Sequence, residues 1–353
     1  MSARAGAPFA RDAGGFPLVA PPRPAAKARP VEPTFAVIVA AYNCEASIGE
    51  TLVSVLAQSR PAQQVIVCDD GSTDQTARVV STFAPDVALI RQENQGDAAA
   101  RNTALAAASA SHVVILDSDD VFDSRCLEAY AAALAARPDL EIVTCDAFLE
   151  ANGVVFDRYY RRLGRFVVED QRRGALHQHF VFGLACLERE RLVAIGGWDT
   201  RYRGNSDTDL FLRLILAGCR AGLVYEPLAR YRFRPHSLSD ERASNMRAMV
   251  TIVQRALEHP SLTPDERAFA RADLRVKERL TRAAELEHAL RTRSGDVRAR
   301  ARRVVSADEL GFPRHERLLA AASVVAPPLG RTLLRLRDRR HGVTPLRVRT
   351  RSV

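Results

Sequence analysis

Short apolar runs rich in β-branched residues recur every 20 to 30 residues in the first third of the chain, with helical spacing between them. TFAVIVAAYN, residues 34–43, is continuous enough to read as a strand buried on both faces. QVIVCDD, DVALIRQ and HVVILDSDD repeat the signal. After the first run, Ile48, Leu52, Val55 and Leu56 share one helical face behind SIGE, a capping-box sequence from Ser47 to Glu50. A second helix is expected near Thr73–Phe83, opened by Ser72 and Gln75, and a third over DAAARNTALAAAS. Strand and helix in alternation predict an α/β fold, a mostly parallel sheet flanked by helices on both faces.

Further along, SRCLEAYAAALAARP reads as a helix ended by Pro138, and EIVTCDAFLE with GVVFDRYY as strands around an Asn152-Gly153 turn. GLACLERERLVAIGGWD gives a strand, a short helix and a Gly-Gly turn. DTDLFLRLILAG gives a helix with Leu210, Leu214 and Ile215 inward and Gly218 as its stop. AGLVYEPLARYRF is expected to be a late strand, and the pattern from Ser239 to about Arg303 is helical. The expected organisation is a Pro- and Ala-rich disordered leader over 1–33, a domain over 34–240, a helical extension over 241–303 and an Arg-rich tail over 304–353.

Charge changes this picture only at the ends. The net charge is +9, but residues from Arg291 onward hold 16 Arg, no Lys and 5 acids, and residues 1–33 add +3. The middle, 34–290, is therefore at −5, and the basicity describes the ends and not a binding site for the substrate. The tail segment RLLAAASVVAPPLGRTLLRLRDRR alternates apolar clusters with arginine, which makes it a candidate for peripheral association with anionic membrane, although Pro327-Pro328 interrupts it. Nucleic acid is not an expected partner, since Phe312 is the tail's one aromatic ring. Six cysteines without C-x-x-C spacing read as buried, reduced thiols of a cytoplasmic protein, and no run of about 18 apolar residues suggests a membrane span.

In open α/β sheets ligands bind beyond the carboxyl ends of the strands. Asn43, Asp69, Asp70, the 92–94 segment and Asp117 to Asp120 all fall at such ends. Asp117, Asp119 and Asp120 crowd three carboxylates into four positions, which calls either for a solvated turn or for a cation. DDGS by itself would serve as an Asx turn, and Asp207 by itself as a helix cap.

VIVAAYNCEASIGETLVSVLAQS, VIVCDDGSTDQT, ENQGDAAARNTAL, VVILDSDD, IGGWDTRYRGNSDTDLFLRLILAG and YRFRPHSLS together resemble, in order and spacing, the inverting family 2 glycosyltransferases with a GT-A fold. The resemblance covers about 35–240 and implies a Rossmann-like sheet and an enzyme that moves a sugar from a UDP, GDP or dTDP donor to a glycan or lipid-linked hydroxyl. It implies that Asp70 accepts from the nucleotide base, with Tyr42 and Asn43 beside base or ribose. Gly96, Arg101 and Asn102 would face the donor, Asp117 the ribose or sugar, and Asp119 would hold Mg2+ or Mn2+ together with His236. Asp207 matches the base, with Asp209 as its rival, while Trp198 would offer a face to the acceptor sugar. Arg232 and Arg234 would assist the diphosphate; His177 and His179 are expected on the acceptor side or at the surface. Ser206 departs from the Glu usual in this family, which leaves open a nucleotide-sugar-binding or scaffolding protein with impaired catalysis. A nucleotidyltransferase is disfavoured because no Gly- and Lys-rich phosphate loop follows the first strand.

Overall fold

The computed structural model describes residues 32–162, 165–202, 204–233, 242–292, 296–307 and 312–340. The expected leader up to Val31, the end of the tail, Arg234 and His236 lie outside the described residues. Among the described residues nine strands form one sheet: β1 (Phe35–Ala41), β2 (Gln64–Asp69), β3 (Ala88–Arg91), β4 (His112–Ile115), β5 (Val121–Phe122), β6 (Ile142–Ala151), β7 (Val154–Arg158), β8 (Ala185–Glu188) and β9 (Ala221–Phe233). Their order is β3-β2-β1-β4-β8-β6-β9-β5, with β7 on β6. The pairs among β1 to β4 are parallel; β8 runs antiparallel to both β4 and β6, and β9 parallel to β6. The α/β sheet expected from the alternation is present, and its first half is wound outward from β1 in both directions. That reversal between β1 and β4 opens a crevice at their carboxyl ends, where the Asp117–Asp120 turn begins.

Helices in the same unit are α1 (Ile48–Leu56), α2 (Thr76–Ser81), α3 (Asp97–Ala107), α4 (Cys126–Ala136), α5 (Tyr159–Arg162), α6 (Gln171–His177), α7 (Arg189–Ala194) and α8 (Ser206–Leu216). Val37, Ile38, Val39, Val113, Val114 and Ile115 are fully buried, as strands covered on two faces require. Two local expectations change. Leu56 is exposed, since Ile48, Thr51, Leu52 and Val55 fill the buried face of α1. Ser47 does not cap α1; its hydroxyl donates to the Ser118 carbonyl at 3.0 Å and so ties the helix start to the acidic turn. The α2 helix is shorter than expected and has Gln75 at its start without a side-chain cap. Asn152 and Gly153, both with positive φ, close the β6–β7 hairpin. All six cysteines are buried, and none is in a disulfide.

By contacts between residues the chain divides into two units. The first holds the sheet and, from the helices that follow, residues 255–270. The second holds 242–254 and 271–340, built from parts of α9 (Arg242–Ala256) and α10 (Pro264–Thr292) with α11 (Val297–Val305), α12 (Arg314–Val325) and α13 (Pro327–Arg340). Its apolar centre gathers Leu286, Leu290, Val297, Val304, Phe312 and Leu334. Each such side chain contributes about 1.5–3 kcal/mol by leaving water. The helical C-terminal region expected from the sequence is thus present.

Candidate active site

Two turns at the ends of β1 and β2 are stitched together by short polar bonds. Asn43, in the left-handed region at φ 47°, accepts from the Thr73 N–H at 2.9 Å, and its own N–H donates to Ser72 Oγ at 2.9 Å. Asp69 is fully buried; it accepts from Ser72 N–H and pairs with Arg91 at 2.9 Å. Asp70, 3% exposed, accepts on one oxygen from Gln92 Nε2 at 2.7 Å and from Gln95 N–H at 2.9 Å, and on the other from Gly96 N–H at 2.7 Å. The carboxylate expected to read a nucleotide base therefore holds the 92–96 loop in this structure. Tyr42, 51% exposed, and Asn43 are both open to solvent.

A second cluster is centred on Arg101, which projects from α3 and is 6% exposed. One terminal nitrogen, Nη2, donates to Asp117 Oδ1 at 2.7 Å. The other, Nη1, donates to Asp207 Oδ1 at 3.0 Å and to Asp97 Oδ2 at 3.1 Å, with Ser206 Oγ at 3.5 Å. Charge-assisted bonds from the planar fork thus join the acidic turn after β4 to the start of α8. Burial pushes the Asp117 carboxyl up to about 6, with the Asp207 and Asp119 carboxylates adding to the shift and Arg101 opposing it. Asp120 is fully buried and is driven well above the carboxylate range by burial first, then by Asp117 and Asp119. One of its oxygens accepts from the Arg232 N–H at 2.9 Å; the other is buried without a hydrogen-bond partner. The crowding anticipated from the spacing is physical: Asp119 raises both Asp117 and Asp120, and Asp117 raises Asp120.

Asp207 is the second residue of α8 and Asn205 occupies the cap position, so the carboxylate is not spent on capping. Its Oδ1 accepts from the Trp198 indole N–H at 2.9 Å as well as from Arg101. Gly183 allows this side chain its place, since a Cβ there would stand 3.2 Å from Asp207 Oδ2. Asp209 turns to the far side of the helix, where it pairs with Arg213 at 2.7 Å while Arg213 also holds the Ile195 and Gly197 carbonyls. The structure brings Asp207, and not Asp209, to the acidic turn.

Trp198 is 2% exposed, so its ring presents no open face; it supports Asp207 with its N–H and lies beneath the Arg101 guanidinium at 5.9 Å. Its backbone exchanges two hydrogen bonds of 2.8 Å with the Asn102 amide. Gly197, at φ +67°, makes that approach feasible because a Cβ would collide with Asn102 Oδ1. Asn102 therefore holds the Gly-Gly turn, whereas Gly96, at φ 94°, starts α3 and gives its N–H to Asp70. Arg232 pairs with Glu50 at 2.7 Å and reaches the Asp119 carbonyl at 3.4 Å. His177 is exposed. His179 hydrogen bonds to Thr208 at 2.9 Å, its Nε2 is buried without a partner, and burial lowers its imidazole below the ordinary value despite the Asp207 charge.

Asp97, Gly183 and Tyr159, whose hydroxyl is raised by burial and by nearby charges including Asp207, were not singled out by motif reasoning. The spacing of Asp97 to Arg101, four residues apart on a helix, was the one signal for the first.

Among the described residues no group of three or more His, Cys, Asp and Glu side chains could hold a metal ion. The donor set nonetheless suits a hard cation. Mg2+ binds through one or two carboxylates plus substrate phosphates and water, and Asp117 and Asp119 offer two carboxyls in one turn, close enough that Asp119 raises Asp117.

Residues 36–194 match the family model for Glycosyl transferase family 2. The chain is 29% identical over 219 residues to the putative teichuronic acid biosynthesis glycosyltransferase TuaG of Bacillus subtilis, covering 60% of this chain and 83% of that one. Among solved structures, S. aureus TarS in complex with UDP-GlcNAc superposes with a TM-score of 0.61 at 17% identity, over 88% of this chain and 92% of that chain. The mannosyltransferase PcManGT of Pyrobaculum calidifontis, in complex with GDP-Man and Mn2+, superposes with a TM-score of 0.56 at 24% identity, over 91% and 90%. Both share the GT-A fold with this chain.

Proposed function

We propose that the chain is a family 2 glycosyltransferase, whose family model it matches over residues 36–194, and that it transfers a sugar from a nucleoside diphosphate sugar to a hydroxyl acceptor with inversion at the anomeric carbon. The observation that carries the reading is the bond of Asp207 to the same guanidinium that holds Asp117 of the D-x-D turn. A base on α8 is thereby fixed across from the turn that would receive the donor. Asp207 removes the acceptor hydroxyl proton as that oxygen bonds to the anomeric carbon, while the bond from that carbon to the diphosphate oxygen breaks and the nucleoside diphosphate leaves. Trp198 and Arg101 orient Asp207 and restrain its oxygen on the acceptor side. Asp119 would hold Mg2+ or Mn2+ with the donor phosphates, His236 being a further candidate ligand; the bound ion would neutralise charge on the departing diphosphate. Tyr42 and Asn43, both exposed, would meet base or ribose. Replacing Asp207 by Asn should reduce turnover on the order of 10³-fold while leaving donor binding within about threefold; unchanged turnover rejects the assignment.

The donor class is supported by the nucleotide sugars bound in the neighbouring structures, and the name of TuaG, a teichuronic acid biosynthesis glycosyltransferase, supports a polysaccharide as the acceptor class. Residues 34–240 would then be the catalytic domain. The serine at 206 favours a second reading, a nucleotide-sugar-binding scaffold with impaired catalysis. Donor binding without any turnover would select it. No described helix is long and apolar enough to cross a membrane. We place the protein at the cytoplasmic face, docked on anionic lipid. Leu329, Leu333 and Leu336 form an exposed stripe of α13 at i, i+4 and i+7, with Arg335 exposed beside it. Co-sedimentation with phosphatidylglycerol vesicles checks this; pelleting unaffected by Leu329→Ser with Leu333→Ser discards it.

A further inference from the structure

Asp97 has no place in the donor, metal or base assignments, yet its carboxylate occupies the junction between the two elements that carry them. It sits in the first turn of α3, where the helix N-terminus favours a negative charge. Its Oδ2 accepts from Arg101 Nη1 at 3.1 Å and from the Ser206 hydroxyl at 3.1 Å. An exposed pair at i, i+4 would be worth only a few tenths of a kcal/mol. Here Arg101 is almost completely buried and the second donor comes from α8, so Asp97 links two separate helices through one oxygen. The Nη1 that Asp97 holds is the same atom that bonds Asp207 Oδ1. Ser206, 2% exposed, stands between them with its Oγ 3.5 Å from that nitrogen. A carboxylate borne by residue 206 would therefore reach Arg101 directly, and the serine leaves this task to Asp97.

We propose that Asp97 is a positioning residue for transfer: through Arg101 Nη1 and the Ser206 hydroxyl it fixes the guanidinium that orients Asp207, supplying the carboxylate that residue 206 lacks. The inference rests on the reading of Asp207 as the base. It also explains how a chain with serine at 206 keeps the site complete, with Asp97, Asp117 and Asp207 arrayed around one arginine.

The test exchanges the two side chains. Initial rates of nucleoside diphosphate release are measured on UDP-GlcNAc and GDP-Man, with water as acceptor, for Asp97→Ser, Ser206→Asp, the Asp97→Ser/Ser206→Asp double variant and Asp207→Asn. Calorimetry with UDP and GDP gives donor-site affinity, and thermal melts check folding. Asp97→Ser is expected to lower kcat roughly 10- to 100-fold, as misplacement of a reacting group does, with nucleotide affinity within about threefold. The double variant, which returns one carboxylate to the cluster from the other helix, is expected to recover kcat to within about threefold of the parent protein. Should Asp97→Ser not fold, Asp97→Asn keeps the shape and an acceptor oxygen, and the same kcat loss is expected. Wild-type kcat in the folded Asp97 variants, or a double variant no better than the Asp97 single, overturns the proposal. Activity retained by Asp207→Asn would instead overturn the base assignment, so the two failures are distinguishable.

Discussion

Arg101→Met removes the one cation of the buried cluster and keeps nearly the same volume. In the parent protein the guanidinium donates to Asp117 at 2.7 Å, Asp207 at 3.0 Å and Asp97 at 3.1 Å. Breaking a buried charge pair by deleting one partner costs about 3–5 kcal/mol, chiefly because the other charge is left without compensation. Two of these carboxylates are partly open to water, so the lower end, about 3 kcal/mol, is expected. Arg101→Lys retains a charge and loses the fork, for a cost of about 1–2 kcal/mol. Trp198 is the chain's one tryptophan and lies in this cluster, so its fluorescence during urea unfolding reports the right unit. With a slope of about 2 kcal/mol per molar, Arg101→Met should lower the midpoint by about 1.5 M. The effect has a pH signature. Asp117 is raised to about 6, so between about 4 and 6 the folded state keeps a proton that the unfolded chain releases, and stability from this group falls as pH rises through that window. Loss of Arg101, which opposes the shift, moves the upper edge of the window higher. The variant should thus be less destabilised at pH 5 than at pH 8. A midpoint within 0.3 M of the parent at pH 8, or a larger deficit at pH 5, would refute the reasoning.

Other consequences are equally direct. Trp198→Phe deletes the indole N–H to Asp207 and should lower kcat about tenfold with little change in nucleotide affinity, read by steady-state kinetics. Asp70→Asn exchanges one of the two oxygens receiving N–H groups from 92–96 for a donor; hydrogen exchange at Gln95 and Gly96 should accelerate at least tenfold, at a stability cost of about 1–3 kcal/mol. Stripping divalent cations with EDTA should abolish transfer and Mn2+ should restore it, whereas Asp119→Ala should remain inactive with Mn2+ present. Leu334→Ala opens the core of the helical unit and should cost about 2–4 kcal/mol in thermal unfolding.

The strands of the first half were legible because parallel strands covered on both faces require unbroken β-branched runs, as at Val37 to Val39 and Val113 to Ile115. The direction of β8 was not, because AGLVYEPLARYRF and GLACLE carry apolar residues whichever way they pair. The starts of α1 and α2 differ from the capping patterns for a common reason: the serines able to cap found partners distant in sequence, Ser47 in the Ser118 carbonyl and Ser72 in the Asn43 N–H. At the site, the spacing announced a crowd of carboxylates at Asp117 to Asp120 but not its counterion, since Arg101 sits on an alanine-rich helix where a surface arginine would look the same. Trp198 illustrates the converse. Its chemistry suits a sugar platform, while its burial behind Asn102 and Gly197 gives its N–H to Asp207.

Donor engagement by the acidic turn is measured most directly by calorimetric titration of UDP-GlcNAc and GDP-Man into the parent protein and into Asp119→Ala, each with and without Mn2+. Saturable binding of one donor that requires both the ion and Asp119 is the predicted result. Binding of neither donor to folded protein, or equal binding with Asp119 replaced and Mn2+ absent, would contradict the account.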